Sequence, residues 1–196
     1  MSLRTTRSLE LLLVASICTQ YVIAQGSSKV PEITRIIDLA SPPASLAQLV
    51  SNSDVVLRGH VEGVLRTRNF NPKIPGSVET DMDVSADTVL KGIVPGNRVV
   101  VAENGGVTPE AVVHVKGDQM MQKGEEYFLF LKADPRSPMT ASGPSRYTVT
   151  GVWNGKFRIE NGIIKMSERS SAGLRIYKDQ TTDRLLTDLN AVLPKR

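Results

Sequence analysis

From Val55 to Arg66 apolar and polar residues alternate almost one by one. Val55, Leu57, Gly59, Val61, Gly63 and Leu65 fall on one side, and Val56, Arg58, His60, Glu62, Val64 and Arg66 on the other. Period two predicts a strand with one buried and one wet face, as in antiparallel sheets. Its two inward glycines point to strong coiling or a close backbone contact. After the Asn/Pro/Gly-rich stretch Asn69–Gly76 the pattern resumes, with Thr80, Met82, Val84, Ala86 and Thr88 inward and Glu79, Asp81, Asp83, Ser85 and Asp87 toward water. Shorter apolar runs follow at Arg98–Ala102 and Val112–Val115. Tyr127–Leu131 is apolar on both faces, which predicts a central strand covered on both sides. Asn154-Gly155 and Asn161-Gly162 then separate Tyr147–Trp153, Lys156–Ile159 and Ile163–Met166. Asn-Gly supplies the positive φ of a type I′ turn, so these three runs read as a meander.

Two helices frame the strands. Ser45 with Gln48 makes a capping box ahead of Leu46, Leu49 and Val50, and Leu185, Leu186, Leu189 and Val192 recur at helical spacing before Pro194. A short helix, five closely spaced strands of which the first two are long and bent, then a meander and a terminal helix describe a mainly β chain. The expected architecture is a five-stranded Greek-key barrel of the OB type over residues 45–166, extended by the meander, with 167–196 as a tail carrying the last helix. The blocks Ser51–Val61, Asp87–Gly92 and Gly124–Lys132 resemble the barrel of netrin-like domains, including tissue inhibitors of metalloproteinases, and still more that of uncharacterised exported bacterial proteins. The resemblance implies a fold. Inhibition would further require an N-terminal cysteine on the protease zinc, and the single cysteine here, Cys18, lies in a leader segment.

That leader is residues 1–24. Arg4 and Arg7 precede an apolar stretch from Leu11, and Val22 and Ala24 satisfy the small-residue rule for cleavage after Ala24. The stretch is too short to span ~30 Å of hydrocarbon, and Ile17 stands where a lipoprotein needs a small residue. Residues 25–44 read as a linker. The expected product is secreted or periplasmic, monomeric, without thiols and without a membrane span.

Composition adds exclusions more than identity. With 196 residues, 40% apolar and 22% charged, the chain is neither disordered nor collagen-like nor a multi-pass membrane protein. A net charge of +4 without a run of like charges gives no footprint for nucleic acid. There are two histidines, and neither an HExxH spacing, a Gly-x-Ser-x-Gly elbow nor a dinucleotide fingerprint occurs. His60 and His114 read most simply as solvated strand residues. Asn104-Gly105-Gly106 is a turn, or else a backbone nest for an anion. Trp153, beside a hairpin tip, is the aromatic to test as a binding contact. The acidic stripe Glu79, Asp81, Asp83 and Asp87 would lie beside Arg58, His60 and Arg66. Carboxylates at period two stand about 7 Å apart along one strand, too spread for one ion without help from elsewhere, so no metal and no cofactor are expected. The functional expectation is an exported module that binds a protein or a cell-surface polymer. The alternatives are a hydrolase or metal-dependent enzyme of a type no motif reveals, and an oligosaccharide binder.

Overall fold

The computed structural model describes residues 30–71, 73, 74, 76–137 and 146–194. The expected leader, its cleavage after Ala24 and Cys18 lie outside these. Among the described residues, ten strands and three α-helices follow in order: β1 (Glu32–Arg35), α1 (Leu46–Ser51), β2 (Val55–Asn69), β3 (Val78–Lys91), β4 (Arg98–Asn104), β5 (Gly106–Val107), β6 (Val112–Val115), β7 (Glu126–Ala133), β8 (Arg146–Val149), β9 (Lys156–Glu160), β10 (Ile163–Lys165), α2 (Ala172–Arg175) and α3 (Thr182–Val192). The protein is mainly β, with a seven-stranded sheet in the order β10-β9-β7-β2-β3-β4-β8 and a small sheet β1-β6-β5.

Strand β8 pairs with both β4 and β7, so β7, β2, β3, β4 and β8 close a ring of pairings. The β4–β8 and β1–β6 pairs are parallel, unlike the antiparallel pairing the alternation predicts. Both join strands far apart in sequence, where no hairpin imposes direction.

The long strand β2 is bulged repeatedly against β3. A Cβ on Gly59 would stand 2.1 Å from the Ser85 carbonyl oxygen, so only glycine permits this crossing. Register shifts around Gly63 end the strict alternation. Val64 and Leu65, expected on opposite faces, are both exposed.

Each face of the sheet carries its own core. Inside the ring lie Val55, Leu57, Met82, Val84, Val99, Val101, Leu129 and Leu131. On the other face Val56, Phe128, Phe130, Phe157 and Ile164 pack beneath Leu46, Leu49 and Val50 of α1, Leu174 of α2, and Leu185 and Leu189 of α3. Phe130 and Phe157 meet at 5.2 Å between ring centroids. Strand β7 therefore is covered on both faces, as its composition predicts. The cap of α1 also forms: Ser45 Oγ accepts from the Gln48 amide, and the Ala44 amide donates to Gln48 Oε1.

Two expectations fail. Glu79, Asp81 and Asp83 do not face water; they are buried. Arg66 and Arg98 on neighbouring strands, with Arg136 from the segment after β7 and Arg146 at the start of β8, neutralise them. Arg58 meanwhile pairs with Glu126 rather than with the stripe. The meander forms only in its second half. Asn161 (φ 52°) and Gly162 (φ 76°) turn β9 into β10 as expected. Asn154 and Gly155 instead lie in a 3-10 turn, Val152–Gly155, and β8 goes to β4 and β7, not β9. The position of Gly155 explains this: its α-carbon packs so closely on the Phe130 and Thr150 carbonyls that a Cβ would approach them to 2.8 and 2.6 Å. The Asn154 side chain donates to the Gly151 carbonyl and accepts from the Ser171 amide, tying the turn to the start of α2.

Candidate functional site

A cleft of about 500 Å³ opens between the end of β6, the strands β9 and β10, and the segment after β10. Its lining includes Asp118, Tyr127, Trp153, Lys156, Arg158 and Arg169. Two charge systems form its floor. Lys156, the first residue of β9, is 7% exposed and holds Glu103 and Asp118 by ion pairs, while also donating to the Gln119 carbonyl. Glu103 accepts in turn from the Met121 amide at 2.9 Å. Burial raises the Glu103 carboxyl above its ordinary range despite the attraction of Lys156. For Lys156 burial disfavours the charge, but Glu103 and Asp118 outweigh it and hold the ammonium protonated above its ordinary value. Beside this triad the Tyr127 hydroxyl donates to Glu125 at 2.6 Å and Arg158 donates to the same carboxylate at 2.8 Å. Burial works against the Glu125 charge, yet these two donors and the Gln122 amide bring its pKa below the usual value.

One wall is Trp153 and Arg169. The indole N–H donates to the Arg169 carbonyl at 2.9 Å, and the Arg169 guanidinium lies 4.2 Å over the ring. Arg169 also donates to the carbonyls of Lys116 and Ile37, clamping the turn after β6 and the segment after β1 to this wall. Gly117 is required in that turn: its φ is +75° and a Cβ would fall 2.3 Å from Arg169 Cδ. The wall's own turn is strained. Val152 has φ 56°, a conformation a β-branched side chain rarely adopts, costing on the order of 1–3 kcal/mol.

The other sequence candidates lie apart from this cleft. His114 Nε2, on the central strand of the small sheet, is 3.2 Å from Glu32 of β1, and both side chains are exposed. The Gly105 amide donates to Val78, its carbonyl accepts from Thr80 Oγ1, and Gly106 pairs with Val113. Asn104-Gly105-Gly106 thus spends its polar groups on the crossing between the two sheets. His60 Nδ1 stands 2.7 Å from Asp87, near Glu126. Only Trp153 of the sequence candidates lines the cleft. Lys156, Glu103 and Arg169 were not legible as site residues; the one local signal was a tryptophan next to a turn.

A scan of family models and a search of curated proteins both return no match. The site therefore has to be read from its own chemistry. No helix among the described residues is long and apolar enough to cross a membrane.

Proposed function

We propose that this chain is an exported binding module, an OB-type barrel that takes a partner protein or a cell-surface polymer at the Trp153 cleft. The ring of five pairings, with its parallel β4–β8 closure, supports the OB reading. The basic and apolar segment between Arg4 and Ala24 supports export. The observation that carries the binding reading is the cleft itself: a concavity of about 500 Å³ where charged groups converge, with Trp153, only 4% exposed, behind the Arg169 guanidinium, is a form that ligand sites take. Its charged groups are mutually paired, which suits recognition more than bond-breaking, since no side chain at the floor stands free as a nucleophile or base among the described residues.

Trp153 is the sole tryptophan, so selectively excited tryptophan emission reports on this cleft. The purified chain is expected to capture a partner from the exported fraction and to change its emission when that partner is added. Gln119→Tyr, which places bulk at an exposed position of the lining, is expected to abolish both effects. Capture that survives Gln119→Tyr refutes the cleft as the site, and hydrolytic turnover without any partner refutes the binding reading altogether. An emission change with a glycan alone favours the oligosaccharide reading.

A further inference from the structure

We propose that His60, Asp87 and Glu126 bind one divalent transition-metal ion, with zinc as the representative case. Three neighbouring strands contribute one ligand each. His60 on β2 lies directly opposite Glu126 on β7, and opposite Ser85 on β3, so Asp87 is its diagonal neighbour two residues on. Such neighbours stand close enough for side chains to meet. The ligand atoms do meet: one imidazole nitrogen and a carboxylate oxygen from each acid all lie within 4.8 Å of one another, and His60 Nδ1 is already 2.7 Å from Asp87 Oδ2. Ligands around a tetrahedral zinc at about 2.0–2.2 Å stand roughly 3.4 Å apart. Reaching that spacing from separations of at most 4.8 Å requires adjustment of the side chains at the cluster.

The donor set selects the ion class. One imidazole with two carboxylates suits zinc, nickel or cobalt, whereas calcium and magnesium prefer all-oxygen shells. Three protein ligands leave a fourth position for water. The cluster is on the sheet face that carries Phe128 and Phe130, and His60 and Asp87 are both about half exposed, so an ion has access. The groups facing it are Arg58, which is bonded to Glu126, and Glu62, which is engaged by Ser85 Oγ at 2.7 Å. Arg58 is the competitor that an ion must displace from one carboxylate oxygen. The imidazole from the adjacent strand supplies what a stripe of acids along β3 lacks.

The test is titration of the purified, tag-free chain with zinc alone by calorimetry, and with cobalt by visible absorption. One ion per chain is expected. His60→Ala and Asp87→Asn, both at exposed positions, are expected to weaken binding by at least ~10-fold, as loss of ligand support does in other sites, while His114→Ala leaves it unchanged. Arg58→Gln, which frees Glu126, is expected to tighten it by up to about fivefold, the equivalent of one surface ion pair. Circular dichroism of each metal-free variant establishes that it folds. No binding, equal affinity in His60→Ala, or loss in His114→Ala instead overturns the proposal.

Discussion

Arg146 and Lys156 each open a strand and each bury their charge among carboxylates, Arg146 with Glu79, Asp81 and Asp134, Lys156 with Glu103 and Asp118. They differ in how the remaining charge is settled. Around Arg146, the guanidiniums of Arg66, Arg68 and Arg136 reach the same acids from the rim, so four cations face three anions. Lys156 stands alone against two carboxylates. The raised pKa of Glu103 comes chiefly from its burial, against the attraction of Lys156, and the second carboxylate, Asp118, adds to it. The planar fork of arginine bridges several carboxylates at once, while an ammonium is a point charge with three donors. The first arrangement is a rivet between β3, β8 and the start of the loop after β7. The second is a charged floor under an open cleft.

The sharpest way to break this contrast is Arg146→Ala. Removing the guanidinium leaves Glu79, Asp81 and Asp134 buried with rim partners only, and removal of one partner of a buried ion pair costs about 3–5 kcal/mol. Urea unfolding followed by Trp153 emission is expected to show a loss near the top of that range. A loss below about 1 kcal/mol, the scale of a surface pair, would mean that the network is ornament and the ring is held by its apolar interior.

Lys156→Met comes next, at about 3 kcal/mol near neutral pH, and its pH signature rests on Glu103, whose carboxyl burial already raises. Without the ammonium, burial raises the Glu103 carboxyl further, so the folded variant holds a proton that the unfolded chain, with its ordinary value of 4.5, releases. A group raised on folding loses stability as pH rises from the unfolded toward the folded value. The deficit against the unsubstituted chain should therefore be smallest near pH 4.5 and widen toward neutrality. A deficit independent of pH in unfolding curves would assign the cost to packing and not to the orphaned acid.

Why half of this was readable and half was not follows from what a local pattern encodes. The period-two runs of β3 and β7 report which side of a strand is apolar, and the interior positions Met82, Val84, Leu129 and Leu131 lie where that pattern puts them. The same pattern cannot tell a carboxylate in water from one against a buried guanidinium. The partners of Glu79 and Asp81 come from Arg136 and Arg146, 57 and 65 residues further on. The two Asn-Gly pairs make the point within one short segment. Asn161-Gly162 is solvent-exposed and takes the turn its sequence prefers, while Asn154-Gly155 is buried against β7 and α2 and takes the conformation its neighbours require. The cleft needs the turn after β6, β9 and the segment at Arg169 together, and no window of sequence holds all three.

The smallest effect sharpens the contrast at the cleft floor. Glu125 sits beside the Lys156 triad but has the opposite tendency, because Tyr127, Arg158 and the Gln122 amide all donate to it and bring its pKa below the ordinary 4.5. A carboxyl lowered on folding contributes stability that is complete above its unfolded value and disappears as pH falls through the folded one. Glu125→Gln keeps the shape and an acceptor for the tyrosine, and removes only the charge. Its deficit should be constant from neutrality down to pH 4.5 and close below it, whereas that of Lys156→Met changes above 4.5. Two neighbouring acids on one floor would then titrate on opposite sides of the same value, for opposite reasons: Glu103 is short of donors for its burial and Glu125 is rich in them. If unfolding midpoints place both transitions on the same side, the floor is one coupled system and the separate roles given to the Lys156 and Arg158 pairs fall.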